Sequence, residues 1–217
     1  MDERNGGSLG GARQQPRWWL RPLQAEASCC LSALEQGWCA QLSPRLQARY
    51  SASRSWMRRC LAELLNMPPQ AVPLHSPPGE APALLSGGYV SLSHSGEALL
   101  IGWSPGPIGV DLEPLRRPLP AAALAARFFP PQEWQRLQHL PEQAQRSAVL
   151  ESWVRKEAAI KWQRSSLARD LSQWHWDDEA DALTHLQQGW SPSSVCTSRD
   201  GWLCAAAGEG VDQLLWG

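Results

Sequence analysis

The sequence predicts an α+β fold built in two halves, and three observations carry that expectation. The hydrophobic period runs helix, strands, helices, strands along the chain instead of alternating single strands with single helices, which is the pattern of an α+β architecture. A proline-bracketed stretch, Pro114 to Pro118, interrupts this order and predicts the joint, giving an N-terminal α+β half over residues 17–114 and a C-terminal one over 115–217. At 217 residues and 43% hydrophobic composition the chain can bury a full core, so a linker or tail-only protein is excluded.

Taken in order, residues 1–16 are rich in Gly, Gln and charge, lack the apolar run of a signal peptide and are expected to form a disordered tail. Residues 25–41 and 48–67 carry apolar side chains at helical spacing; the second helix is lined by arginines and stops at Pro68-Pro69. Residues 73–88, dense in Pro, Gly and Ser, predict a surface loop. The period then shortens to two. Residues 89–94, 98–104 and 108–113 predict three short strands, the last two joined as a hairpin by Pro105-Gly106-Pro107. Helical spacing returns over 120–127, 131–139 and 142–164, and a final strand pair is expected at 193–196 and 201–207.

A formal net charge of −1 excludes a broad basic face for nucleic acid or an anionic membrane, so any polyanion site must be small. No apolar stretch approaches a membrane span. The six cysteines show no Cys-x-x-Cys spacing and read as free thiols of a reducing cytoplasm, with Cys29 and Cys30 adjacent in the first helix. The 13 tryptophans are scattered and read as packing residues.

Of the 20 lysines and arginines only two are lysines, Lys156 and Lys161, and both fall in the stretch WVRKEAAIK at 153–161. Arginine serves a solvated surface equally well, so an ammonium kept at these two places points to a compact charge, as in phosphate binding. On a helix Trp153, Glu157 and Lys161 form one stripe, with Lys156 on the adjacent flank. Taken alone, this is also the pattern of a tryptophan-anchored helix with a surface ion pair.

Three further segments bear on chemistry. In IGVDLE at 108–113, Asp111 and Glu113 sit two apart on a strand and so share a face. Paired carboxylates suit a hard cation such as magnesium, completed by substrate phosphates, although an isolated Asp-x-Glu is most often two solvated acids. SLSHSG at 91–96 ends a strand in hydroxyls, His94 and a glycine, a composition that can hold phosphate; a lone histidine there is more often structural. RFFPPQE at 127–133 supplies an aromatic pair and a glutamate opening a helix, and by itself says nothing about chemistry.

In this order and at these separations the four blocks resemble the 4′-phosphopantetheinyl transferases, specifically the Sfp-type group, over residues 49–161. The resemblance implies two similar α+β subdomains forming an intramolecular pseudo-dimer, for which a monomer suffices. It implies an enzyme that moves the phosphopantetheine arm of coenzyme A to a serine of an apo acyl or peptidyl carrier protein, releasing adenosine 3′,5′-bisphosphate. Asp111, Glu113 and Glu157 would hold magnesium, and Glu157 would also take the serine proton. Lys161 would contact the pyrophosphate. Ser93, His94 and Arg54 would hold coenzyme A near its 3′-phosphate, and Lys156 would belong to the same cofactor-binding set.

Two departures from the family pattern stand out. The stretch ahead of the SLSHSG block reads Pro-Gly-Glu-Ala-Pro, with Glu80 where relatives carry a lysine, and the glycines that commonly follow the lysine helix are replaced by Trp162-Gln163-Arg164-Ser165-Ser166. A non-catalytic relative that binds a carrier or coenzyme A is the second class of function, disfavoured because Asp111, Glu113, Glu157 and Lys161 are all retained. A magnesium-dependent phosphohydrolase is the third, and it would need a water-activating residue that the sequence does not display.

Overall fold

The computed structural model describes residues 15–24 and 30–217. Its elements are β1 (Arg17–Pro22), α1 (Ala33–Ala40), α2 (Pro44–Leu65), β2 (Leu74–His75), β3 (Ala83–Leu84), β4 (Tyr89–Ser95), β5 (Ala98–Ser104), β6 (Ile108–Pro114), α3 (Ala121–Phe128), α4 (Pro131–Leu137), α5 (Glu142–Trp162), α6 (Leu167–Asp170), β7 (Trp174–Asp177), β8 (Ala182–His185), β9 (Ser194–Arg199), β10 (Trp202–Gly208) and β11 (Leu215–Trp216). The mixed α+β content agrees with the sequence expectation.

The core is layered, and strand alternation dictates the layers. One sheet has the order β11-β1-β5-β4 and another β6-β10-β9. Along β5, Leu99, Ile101 and Trp103 pack with Met57 and Leu61 of α2, whereas Ala98 and Leu100 pack with Ile108, Val110 and Leu112 of β6. Along β10, Cys204 and Ala206 join that inter-sheet core, whereas Ala205 and Ala207 meet Val154, Ala158 and Ile160 of α5. The order from one side to the other is therefore α2, first sheet, second sheet, α5. By the same alternation Gly109, Asp111 and Glu113 face α5. A Cβ on Gly109 would land against the backbone of Ala158 and Trp162, so glycine is what lets α5 lie this close to β6.

Several expectations are corrected. The hairpin predicted across Pro105-Gly106-Pro107 does not form: β5 pairs with β1 and β4, and β6 pairs with β10. Val110 packs directly against Gly102, so β6 crosses the face of β5 instead of lying along its edge. The hairpin is instead β4–β5, turning at Gly96. A helix unbroken over 25–41 is not present, since residues 30–32 are not helical and α1 starts at Ala33, where Ser32 caps it: its hydroxyl accepts the Glu35 N–H while the Glu35 carboxylate accepts the Ser32 N–H. Cys30 precedes that helix, and residues 25–29, Cys29 included, lie outside the described residues. The second helix begins earlier than expected, at Pro44 in its first turn, where a missing N–H costs nothing. It ends at Asn66 in the left-handed region.

The loop over 73–88 contains the short β2–β3 ladder. The β7–β8 hairpin and strands β1 and β11 add to the elements that the sequence predicts. Of the expected tail, residues 1–14 lie outside the described residues, and the Pro16 carbonyl accepts the Leu215 N–H. The five described cysteines carry no disulfide. Among the described residues no helix is long and apolar enough to cross a membrane.

Candidate active site

The site forms where β4, β6 and α5 meet. Strand alternation aims Ser91, Ser93 and Ser95 of β4 at β6. The Ser91 hydroxyl accepts the Val110 N–H (3.1 Å), the Ser93 hydroxyl donates to Asp111 Oδ1 (2.7 Å), and the Ser95 hydroxyl donates to Glu113 Oε2 (3.1 Å). From α5, Lys161 Nζ donates to Asp111 Oδ1 (2.6 Å) and to Ser93 Oγ (2.8 Å). Arg117, outside the quoted motifs, pairs with Glu113.

The electrostatics are those of an anionic centre short of positive charge. Burial pushes the Glu157 carboxyl up to about 8, and the neighbouring Asp111 and Glu113 add to the rise while Lys161 opposes it. Burial also raises Glu113, against the pull of Arg117, and Asp111 raises it further. Asp111 Oδ2 is buried and has no hydrogen-bond partner among the described residues. Crowded oxygen donors, one of them orphaned, fit a hard divalent cation. Among the described residues no three His, Cys, Asp or Glu side chains are gathered into a ready cage. That is compatible with magnesium, which takes one or two carboxylates and completes its shell with water and phosphate oxygens.

Beside this centre opens a cleft of about 420 Å³ lined by Arg54, Glu80, Ser91, His94, Lys161 and Arg164, among others. Arg54 is largely buried on α2. Its Nε donates to the Ser76 carbonyl (3.2 Å), its Nη1 donates to the Ser53 hydroxyl (3.1 Å) and its guanidinium lies 4.6 Å from the Tyr50 ring centroid. His94 is held below its usual range by burial and then by the guanidinium of Arg49, which contacts its ring. The structure thus places Arg54, His94 and Lys161 on the wall of one cleft, with Asp111, Glu113, Glu157 and Ser93 in the adjoining cluster, to which Lys161 connects through Asp111 and Ser93.

Lys156 is not brought there. It is 0% exposed and points away from the cleft into a pocket formed by the RFFPPQE block. Its Nζ donates to Glu133 Oε2 (2.7 Å) and sits 3.5 Å from the Phe129 ring centroid. Glu133 also accepts the Ser152 hydroxyl and the Trp176 N–H (3.2 Å). The expectation that Lys156 binds cofactor is therefore corrected: on a helix, residues five apart point to different sides, and Lys156 falls on the core side. Glu133 reads in the sequence only as the opening of a helix and Arg49 only as one arginine of α2, and Arg117 lies outside every quoted motif. The hydroxyls of SLSHSG, expected to hold phosphate, instead bond to β6 through Ser91, Ser93 and Ser95.

Comparison with known proteins agrees with this geometry. The family model of the 4′-phosphopantetheinyl transferase superfamily matches residues 107–207, a span that holds Asp111, Glu113, Glu157 and Lys161 but not Arg54, Ser93 or His94. A Synechocystis sp. protein provisionally named a 4′-phosphopantetheinyl transferase is 31% identical over 169 residues, covering 73% of this chain and 69% of the relative. The 4′-phosphopantetheinyl transferase HetI of Nostoc sp. is 31% identical over 58% of this chain and 56% of its own. The psf-1 transferase of Bacillus pumilus is 30% identical over 50% and 47%. The chain therefore spans about half the length of these last two. The matched span holds the carboxylates and the lysine paired with Asp111, the Synechocystis relative is matched over more than two thirds of its length, and the chain belongs to the 4′-phosphopantetheinyl transferase superfamily.

Proposed function

We propose that this protein is a magnesium-dependent transferase of the Sfp type that moves 4′-phosphopantetheine from coenzyme A to a serine of an apo carrier protein. Its halves are residues 17–114 and 115–217, a pseudo-dimer in which β6 of the first half completes the sheet of the second. Supporting this reading, each half places a long helix, α2 or α5, ahead of an antiparallel hairpin, β4–β5 or β9–β10. Sufficiency as a monomer and a cytoplasmic setting belong to the same reading.

The observation that carries the activity is the anionic centre of Asp111, Glu113 and Glu157, with Lys161 paired to Asp111 and standing on the wall of a cleft that also presents Arg54, His94 and Arg164. Asp111, Glu113 and Glu157 would hold magnesium, which supplies neutralisation of the diphosphate when bound. Coenzyme A lies in the cleft with its phosphates towards Arg54, His94 and Lys161. A carrier serine is positioned at Glu157, which accepts the hydroxyl proton directly or through a water as the oxygen attacks phosphorus. The new bond is serine oxygen to the phosphopantetheine phosphorus. The broken bond is from that phosphorus to the bridging oxygen, whose electron pair leaves with adenosine 3′,5′-bisphosphate. Lys161 stabilises the charge that develops there. No nucleophile is required of the protein itself, in keeping with the lack of a nucleophile motif in the sequence.

Intact-protein mass spectrometry of apo acyl carrier protein incubated with the protein, coenzyme A and magnesium tests this directly. The expected gain is one phosphopantetheine arm, absent with Glu157→Gln. Well-folded protein that modifies neither fatty-acid, polyketide nor peptide-synthetase carriers, yet binds coenzyme A, would replace this reading with that of a non-catalytic binder.

A further inference from the structure

The turn that closes α5 holds a conformation at odds with its residue. Gln163 ends the helix and Arg164 follows with φ 57°, in the left-handed region, where the side chain is strained and glycine or asparagine is the usual occupant. The Arg164 N–H donates to the Lys161 carbonyl (3.1 Å) and the Ser165 N–H to the Ile160 carbonyl (3.0 Å), so the helix end itself dictates this conformation. The Arg164 side chain is exposed, and the residue lines the same cleft as Arg54, His94 and Lys161.

The other two permanent cations of the cleft have prior partners. Arg54 is tied to Ser76 and Ser53, and Lys161 to Asp111 and Ser93. Among the described residues the Arg164 guanidinium has no hydrogen bond and no ion pair. A cation near the C-terminus of a helix gains from the helix dipole, but any nearby lysine or arginine provides that, and it does not account for an arginine in the left-handed position. Glu80 is the single acidic residue of the cleft lining, so a site for a polyanionic ligand there is short of charge on one wall. A planar guanidinium with all five donors unused suits a phosphate.

We propose that Arg164 is a phosphate-binding residue of this cleft, donating charge-assisted hydrogen bonds to a phosphate group of coenzyme A. The proposal rests on the coenzyme A reading given above, and deepens it by naming a contact that lies outside the motif residues.

The test is isothermal titration of coenzyme A and of 3′-dephospho-coenzyme A, with magnesium present, into the wild type and into Arg164→Gly, Arg164→Asn and Arg164→Lys. Removing one charge-assisted contact is expected to raise Kd for coenzyme A about tenfold in the glycine and asparagine variants. The lysine variant should recover part of the loss. Melting temperature should hold or rise in Arg164→Gly and Arg164→Asn, because both residues accept positive φ. A merely structural role predicts the reverse: lower melting temperature and unchanged Kd. A loss confined to coenzyme A assigns the contact to the 3′-phosphate, and an equal loss on the dephospho form assigns it to the diphosphate; either upholds the proposal. Wild-type protein that binds coenzyme A with the affinity of Arg164→Gly overturns it and leaves the proposed function standing. Wild-type protein that binds no coenzyme A overturns both.

Discussion

Helix α5 crosses two glutamate centres, one buried at Glu133 and one half-buried at Glu157, that are built to opposite ends. Glu133 is held below the usual carboxylate range: burial pushes it up, but His175, Lys156 and Ser152 together overcome that. Glu157, one residue along from Lys156, is pushed up to about 8, because burial is joined by the charges of Asp111 and Glu113 and only partly opposed by Lys161. Burial pushes both carboxyls up, and the donors and charges around each decide the direction in which it finally shifts. A saturated centre stores stability, whereas a deficient one waits for a cation, and this distinction separates two lysines that look equivalent in the sequence.

The largest test of that contrast is Glu157→Gln. In the deficient centre it removes a repelling charge, so thermal stability should hold or rise, while transfer measured by mass spectrometry falls about 10²- to 10⁴-fold, the range of a lost general base. Loss of activity together with a large fall in melting temperature would mean that the centre is structural after all.

Lys156→Met is the counterpart at the saturated centre. It leaves the Glu133 carboxylate buried without its cation, and removal of one partner of such a pair costs about 3–5 kcal/mol. Urea denaturation measures the loss. The double variant with Glu133→Gln should recover part of it, and the residual transfer activity per folded molecule should stay close to wild type. A selective rise in KM for coenzyme A would instead restore a ligand-binding role to Lys156.

The two centres also predict opposite pH slopes of stability in metal-free protein. The folded-state pKa of Glu133 is depressed, so its contribution is full above the unfolded value near 4.5 and is lost as pH falls through the folded one. Glu157 is raised, so the folded state binds its proton more tightly. Its favourable contribution is full below about 4.5 and is lost as pH rises to about 8. Melting temperature followed from pH 3 to 9 should rise and then decline. Glu157→Gln should lessen the decline and leave the rise, the rest of the decline belonging to Glu113, which is also raised, and magnesium should raise the melting temperature more at pH 8 than at pH 5.

This contrast was only half legible in the sequence. The strand alternation that puts Asp111 and Glu113 on one face, and the helical stripe of Glu157 and Lys161, are periodic facts, and the structure keeps them. The fate of Lys156 is not periodic. It depends on Phe129 and Glu133 coming over the core side of α5, a tertiary arrangement about which RFFPPQE is silent on its own. The failed hairpin has a similar cause. Pro-Gly-Pro is a turn signal in either case, but whether β5 and β6 pair edge to edge or cross face to face is decided by Gly102 yielding to Val110 and by β10 claiming the edge of β6. Strand β10 itself lies some 90 residues further along the chain.

Gly109→Ala probes the contact on which both centres depend. The added methyl would press on the backbone of Ala158 and Trp162, and backbone cannot swing aside as a side chain does. Overpacking of this kind costs about 1–3 kcal/mol. Because the contact lies at the Lys161 end of α5, the displacement should reach the deficient centre more than the saturated one. Transfer is expected to drop further than stability alone explains, and the Lys156→Met penalty should remain unchanged in the Gly109→Ala background. Equal disturbance of both centres would mean that α5 moves as a rigid rod.

The smallest expected effect concerns the wall of the cleft. Glu80 is an exposed acid on the loop between β2 and β3, lining a cavity that it shares with Arg54, Lys161 and Arg164. In a solvated rim one charge changes an encounter by tenths of a kcal/mol to about 1 kcal/mol, and salt screens it. Glu80→Lys should therefore lower Kd for coenzyme A about two- to fivefold at low ionic strength, with the gain shrinking towards 0.5 M salt and stability untouched. The deficient centre should not notice, since Glu80 is absent from the charges that set Glu157 and Glu113. If the variant instead loses affinity, the negative charge at position 80 is contributing to the site, most simply by orienting Arg164 before ligand arrives, and the double variant with Arg164→Gly would then show the two effects collapsing into one.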